Sequence, residues 1–161
     1  MTAIVRVGQG YDLHRLGPGE KLVLAGVEIP HDRRLIGHSD ADVVLHAIID
    51  ALLGAAGLPD IGEQFPDTDP AYKGIAGSLL LTRTRDVIKA QGYVPVNIDV
   101  TIIAEKPKLS PYKLDMRKSI AGILDLDPGA VNVKAKTNEG IGDLGTAQAI
   151  ACHALVSLAK A

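Results

Sequence analysis

The stretch that most limits the folds open to this chain runs from His38 to Asp50, His-Ser-Asp-Ala-Asp-Val-Val-Leu-His-Ala-Ile-Ile-Asp. From Ala41 to Leu53 every residue is apolar or small except Asp42, His46 and Asp50, which recur at every fourth position. On a helix that spacing draws one narrow stripe of ionisable groups along an otherwise apolar cylinder. A helix that is apolar on nearly every side must be buried, and buried charge is costly unless it is paired or binds a metal. Ser39 followed three residues later by Asp42 has the form of a capping box, so the helix is expected to begin at Ser39. The stripe then needs a partner from elsewhere in the chain.

The first strand offers one. Ile4 to Tyr11 alternates β-formers with small residues and runs into Tyr11-Asp12-Leu13-His14-Arg15. A strand's period of two puts Asp12 and His14 on one face. With His46 from the helix they make a set of two histidines and one carboxylate. Three protein ligands with a fourth position open is the arrangement of catalytic zinc, and imidazoles favour Zn²⁺ over Mg²⁺. A second reading of the same residues makes His46 a hydrogen-bonded core histidine and Asp12 a turn cap; the buried acids tip the balance toward metal. Asp42 and Asp50 read as acceptors for the ring nitrogens of such ligands, or, for Asp42, as a plain helix cap.

Taken in order, the rest of the chain alternates strands and helices. Lys21–Ala25 and Val27–Ile29 read as a hairpin about Gly26, and Gly54 with Gly57-Leu58-Pro59-Asp60 closes the buried helix. The segment 60–70 reads as a long irregular loop, of the kind that is functional or mobile. Ser78–Gln91 is amphipathic, with Leu80, Leu81, Thr84, Val87 and Ile88 inward, and Gly92 stops it. Pro95–Ala104 is a strand with Val96, Ile98, Val100 and Ile102 on one face. A helix follows from Pro111 to Leu124, with Met116, Ile120, Ile123 and Leu124 toward the core, then a strand over Val131–Thr137 and a glycine-rich turn. Thr146–Ala159 reads as a closing helix. The expected class is α+β, an α/β sandwich in which helices lie on one face of a mixed sheet.

Composition narrows the function classes. The 161 residues fit a single domain over 1–161 with room for a real core. The net charge is −2, from 17 basic and 19 acidic residues, and no basic run exceeds a pair, which argues against nucleic acid or a membrane surface as partner. Aromatic residues make up only 3%, so base stacking on an aromatic platform is not expected. Cys152 is the one cysteine, the start lacks a signal-peptide pattern, and no apolar run is long enough for a bilayer. The chain therefore reads as cytoplasmic.

Other clusters are weaker signals. Gly8-Gln9-Gly10 is too short for a dinucleotide fingerprint and reads as tight backbone. His38 and Ser39, at a helix start, read as a phosphate seat or a simple N-cap. Thr137 and Glu139 in the glycine-rich turn suit a phosphate with a hard Mg²⁺. Asp67 and Asp69 read first as turn formers, Lys106 and Lys108 as solvated, and His31 and His153 as structural.

Several of these segments, in this order, closely resemble one family. Gly8-Gln9-Gly10-Tyr11-Asp12-Leu13-His14-Arg15-Leu16, His38 to Ala47, Asp60-Ile61-Gly62, Phe65-Pro66-Asp67-Thr68-Asp69-Pro70, Asp99 to Ala104 and Val131 to Ala135 are similar to the 2-C-methyl-D-erythritol 2,4-cyclodiphosphate synthases of the non-mevalonate isoprenoid pathway. The resemblance implies a homotrimer around a central channel, with active sites at subunit boundaries. It implies Zn²⁺ on Asp12, His14 and His46, and Mg²⁺ or Mn²⁺ on Glu139, bridging substrate phosphates. The implied substrate is a cytidine diphosphate carrying methylerythritol 2-phosphate, cyclised with release of CMP. His38 and Thr137 would stabilise the transition state, with Ser39 beside them. Asp60, Gly62 and Asp67 would take the methylerythritol part, Ile61, Phe65 and Asp69 would also bind substrate, and Ala104, Pro107, Lys108, Leu109 and Lys136 would line the cytidine pocket. Asp143 and Thr146 stand where many members have Phe and Arg, which argues against an isoprenoid diphosphate in the channel, and Asn138 replaces a common hydroxyl residue. Two rival readings are a noncatalytic trimeric metal-binding protein and a zinc phosphohydrolase with Asp42 as its base.

Overall fold

The computed structural model describes residues 5–161, so the expected strand start at Ile4 lies outside the described residues. In chain order the elements are β1 (Val5–Pro18), β2 (Lys21–Leu24), β3 (Val27–Pro30), β4 (Arg33–Ile36), α1 (Val43–Ala56), α2 (Ile61–Gln64), α3 (Gly77–Ala90), β5 (Tyr93–Ile103), α4 (Lys113–Leu124), β6 (Val131–Lys136), α5 (Gly142–Gly145) and β7 (Ala149–Lys160). Five strands form one sheet in the order β4-β1-β7-β5-β6, while β2 and β3 pair as a separate hairpin. Only β5 and β6 run parallel, joined through α4; the other pairs of the large sheet are antiparallel. Helices α1, α3 and α4 cover one face, the α+β arrangement expected.

Helix α1 is the centre of the core, with Val43 to Ile49 and Ala51 to Leu53 all buried. It can lie so close to β1 because two strand residues have no side chain. A Cβ at Gly8 would stand 1.9 Å from the carbonyl oxygen of Ala51, and one at Gly10 1.9 Å from that of Ala47. The tight backbone expected of Gly8-Gln9-Gly10 is therefore a helix-packing contact. At its far end α1 stops in a Schellman arrangement: Gly57, at φ 75°, donates to the Gly54 carbonyl, and Leu58 donates to that of Leu53.

Three expectations need correction. The segment Thr146–Ala159, expected to be a helix, is β7, bonded on both sides in the middle of the sheet. Its alanines favour a helix in isolation, but Ile150, Cys152, Ala154, Val156 and Leu158 alternate and are all buried; with strand partners on each side, burial outweighs propensity. Helix α1 begins at Val43 and not at Ser39, because the N-cap is Asp42. On β5, Ile98, Val100 and Ile102 point inward as expected, but a bulge between Pro95 and Asn97 shifts the register and leaves Val96 exposed. The 60–70 loop also contains α2, and a 3₁₀ turn spans Pro70–Tyr72.

The sheet face away from the helices carries Val5, Val7, Tyr11 and Leu13 from β1 and Leu155 from β7, all exposed, with Val7 67% so. No helix of the described residues is long and apolar enough to cross a membrane.

Candidate metal centre and substrate cleft

The stripe Asp42, His46, Asp50 is real, but its three members do different work. The Asp42 carboxylate accepts from the amides of Val44 and Leu45 (each 3.2 Å) and, across the core, from those of Ala25 (2.9 Å) and Gly26 (2.7 Å). It thereby caps α1 and fixes the β2–β3 turn against it. Burial pushes its carboxyl up to about 6, against the pull of these amides. Asp50 accepts from the Ile61 amide at 2.8 Å and sets the start of α2; burial raises its pKa as well. Neither acid bonds an imidazole ring, so the expectation that they orient ligand nitrogens is replaced by capping and anchoring.

His46, the middle member, meets β1. Its Nδ1 lies 3.1 Å from Asp12 Oδ2, and the same oxygen is 3.0 Å from His14 Nδ1. The two rings are 5.3 Å apart between centroids, and the Asp12, His14 and His46 ligand atoms all fall within 4.8 Å of one another. The His14 Nδ1 contact is too far out of line for a hydrogen bond, which leaves that buried nitrogen without a hydrogen-bond partner among the described residues. A buried donor set of two nitrogens and a carboxylate, converging with one nitrogen unsatisfied, fits a divalent cation of the zinc type. Burial raises the Asp12 carboxyl, but the imidazoles of His14 and His46 outweigh it and hold its pKa down at about 2. Burial lowers His46, yet the Asp12 carboxylate, with Asp42 and Asp40 behind it, leaves its pKa raised.

Ser39, expected as a cap or phosphate seat, does not cap α1, whose N-cap is Asp42, and sits beside His46. Its Oγ is 3.0 Å from His46 Nε2 and also accepts from the Ala41 amide at 3.2 Å. A proton on Nε2 donated to Ser39 would leave the Nδ1 lone pair toward Asp12, the tautomer a metal ligand needs. Asp42 takes the Val44 and Leu45 amides of the first turn of α1.

A cleft of about 610 Å³ opens onto this centre. It is lined by His14, His38, Ser39 and His46 together with Ile61, Gly62, Phe65, Asp67, Tyr72, Lys73 and Ile75. Asp60 and Asp69 stand outside it as caps, accepting from Glu63 at 3.0 Å and Ala71 at 2.9 Å. The remaining predicted residues gather elsewhere, at the ends of β5 and β6. Ala104 donates to the Lys136 carbonyl at 2.9 Å, Thr137 Oγ1 donates to Glu139 Oε1 at 3.3 Å, and the Asn138 amide donates to Glu105 at 3.1 Å. Leu109 is buried, whereas Lys106 and Lys108 are exposed. By register His14 pairs with Ile150, and Ile103 pairs with Ala151 and Lys136, so both clusters lie at the same end of the sheet. From β1 the second cluster is two strands away at β5 and three at β6, roughly 10 to 14 Å at ordinary strand spacing. One chain does not bring them together. His153 points to the open sheet face, its ring 4.8 Å from that of Tyr11, and His31 lies 3.5 Å from Asp32.

The YgbB family profile matches residues 5–159. The chain belongs to the YgbB family. Among its YgbB-family relatives is the 2-C-methyl-D-erythritol 2,4-cyclodiphosphate synthase of Bordetella pertussis, 55% identical over all 161 residues and 99% of that protein. The enzyme of the same name from Chloroherpeton thalassium is 53% identical over 97% of this chain and 99% of its own. Of solved structures, the bifunctional IspDF of Campylobacter jejuni superposes with a TM-score of 0.95 at 41% identity, covering 99% of this chain but 43% of that longer one. The Plasmodium falciparum IspF complex with CDP superposes with a TM-score of 0.85 at 34% identity, covering 99% of each chain. Lys73 and Tyr72, absent from the expected site, line the cleft; their one signal in the sequence was a place just past the long 60–70 segment.

Proposed function

We propose that this chain is an enzyme that converts 4-diphosphocytidyl-2-C-methyl-D-erythritol 2-phosphate to 2-C-methyl-D-erythritol 2,4-cyclodiphosphate and CMP. The observation that carries the reading is the converging set Asp12, His14 and His46 at the mouth of a cleft large enough for a phosphorylated polyol, in a chain whose full-length relatives bear that enzyme's name. An oxygen of the 2-phosphate attacks the β-phosphorus; a new P–O bond forms as the bond from that phosphorus to the bridging oxygen breaks, and CMP leaves with the electron pair. In class terms this is a phosphorus–oxygen lyase. No protein nucleophile is needed, so the work is positioning and charge neutralisation.

Asp12, His14 and His46 would hold Zn²⁺, and Glu139 would hold Mg²⁺ or Mn²⁺; bound there, the ions supply neutralisation of phosphate charge. Ser39 fixes the His46 tautomer and, with both its acceptor positions used, has its own hydroxyl proton to give a phosphate. His38, on the cleft wall, donates to the charge that develops during attack. Ile61, Gly62, Phe65 and Asp67 enclose the methylerythritol part and exclude water from it.

The cytidine set Ala104, Pro107, Lys108, Leu109 and Lys136, with Thr137 and Glu139, lies across the sheet from its own chain's metal centre. A site using both therefore draws them from neighbouring copies in a homotrimer packed through the exposed Val7, Leu13 and Leu155 face. The phosphohydrolase alternative lacks its base, because Asp42 is fully buried and engaged by four amides. Incubation with the cytidylyl substrate, Zn²⁺ and Mg²⁺, followed by phosphorus NMR, tests the reading. Cyclic diphosphate and CMP in equal amounts are expected; an open-chain diphosphate, or no CMP from folded protein, refutes it.

A further inference from the structure

The cleft carries a cation that the reaction as set out above does not use. Lys73 is the sole lysine or arginine lining the cleft, and Asp67 the sole carboxylate. The Lys73 ammonium makes no ion pair among the described residues. Its backbone, however, is held firmly. Gly74 donates to the His38 carbonyl at 3.1 Å, Asp40 donates to that of Ile75 at 3.3 Å, and the Gly77 amide donates to Asp40 Oδ2 at 2.7 Å. The segment is thus zipped to the one that carries His38 and Ser39. Beneath it Tyr72 packs edge-on against Phe65 with centroids 5.5 Å apart, and the Arg83 guanidinium lies 5.6 Å from the Tyr72 ring. A lysine with no ion-pair partner among the described residues thus lines the cleft on a braced loop.

The charges of the substrate decide what it would meet. The diphosphate would have the cations that Asp12, His14, His46 and Glu139 would hold. The third phosphate, a monoester on the methylerythritol carbon, carries close to two negative charges at neutral pH, and no metal ligand faces the part of the cleft where the methylerythritol lies. We propose that Lys73 is a substrate-binding residue that seats the attacking 2-phosphate, a proposal that rests on the cyclase reading above. A lysine ammonium suits this role because it offers a compact charge with three donors and can follow the phosphate as it moves toward the β-phosphorus. Partial neutralisation of the nucleophile also weakens its repulsion by the diphosphate before the bond forms.

The test compares wild type, Lys73→Ala and Lys73→Arg in steady-state turnover and in inhibition by CDP, which has the diphosphate but no monoester. Loss of one charge-assisted bond predicts a fall in kcat/KM of roughly 10- to 100-fold for Lys73→Ala, substantial recovery in Lys73→Arg, and CDP inhibition unchanged in both. Lys73→Ala with kcat/KM near that of wild type overturns the proposal. So does CDP inhibition that weakens in parallel with turnover, since that places Lys73 on the diphosphate. A wild type that releases no CMP removes the cyclase reading and this proposal with it, whereas an active wild type beside a fully active Lys73→Ala removes this proposal alone.

Discussion

Replacing Gly10 by alanine tests whether the strand–helix contact sets the geometry of the metal centre. The added Cβ would stand 1.9 Å from the Ala47 carbonyl oxygen, 2.8 Å from the Ala51 nitrogen and 3.0 Å from the Ala47 carbonyl carbon. All three are helix backbone, so no side chain can swing aside. Ordinary contact begins at 3.4 Å, so α1 must retreat by 3.4 − 1.9 = 1.5 Å, or β1 must bend by as much. Overpacking of this kind costs about 1–3 kcal/mol when side chains can adjust, and backbone obstruction puts Gly10→Ala at or above about 3 kcal/mol. The effect on metal is sharper. His46 is the neighbour of Ala47, and ligand distances tolerate only about 0.2 Å of error. A shift several times larger should weaken zinc binding by 100-fold or more, on the order of the largest losses seen when ligand support is removed. Urea denaturation and zinc competition titration read the two effects separately. Gly54→Ala is the control, since nothing lies within 4 Å of its added Cβ and a mid-helix alanine should stabilise by up to about 1 kcal/mol. If Gly10→Ala keeps wild-type stability and zinc affinity, the close approach of α1 is not what builds the centre.

Asp42→Ala removes the acceptor for four amides, those of Ala25, Gly26, Val44 and Leu45. At roughly 1 kcal/mol each, partly offset by relieving a desolvated carboxyl, a loss of about 3 kcal/mol is expected in urea denaturation. Zinc affinity should fall with pH: the raised pKa of His46 means that its proton stays on, and competes with the metal, from somewhat above the ordinary histidine range downward. Competition titrations at pH 8 and pH 6 should show weaker binding at the lower value, and equal affinities would refute a ligand role for His46. Val7→Asp places charge on the open sheet face, and sedimentation should show a trimer giving way to monomer while far-UV dichroism stays unchanged; a persistent trimer would move the interface elsewhere.

The cluster of Asp12, His14 and His46 was legible because its determinants are periodic: Asp12 and His14 share a strand face by alternation, and His46 stands on the buried side of a helix by its spacing. The amphipathic α3 and the core of α4 were legible for the same reason. What escaped was decided by contacts between distant segments. β7 has alanine enough for a helix, and only its strand partners β1 and β5 make its alternating Ile150, Val156 and Leu158 decisive. The capping-box pattern at Ser39 competed with Asp42, and Asp42 prevailed because it can also satisfy Ala25 and Gly26, seventeen and sixteen residues earlier. Ser39 was released to bond His46. The separation of the Lys136–Glu139 cluster from the triad depends on strand order, which no local pattern encodes.

Metal dependence of turnover in a single preparation tests the central claim most directly. Protein stripped with chelator should lose production of cyclic diphosphate and CMP, and stoichiometric Zn²⁺ in the presence of Mg²⁺ should restore it to wild type but not to His46→Ala. Stripped protein that cyclises the substrate at the untreated rate, or His46→Ala that binds zinc stoichiometrically and turns over normally, would contradict the assignment of Asp12, His14 and His46 as the catalytic metal centre.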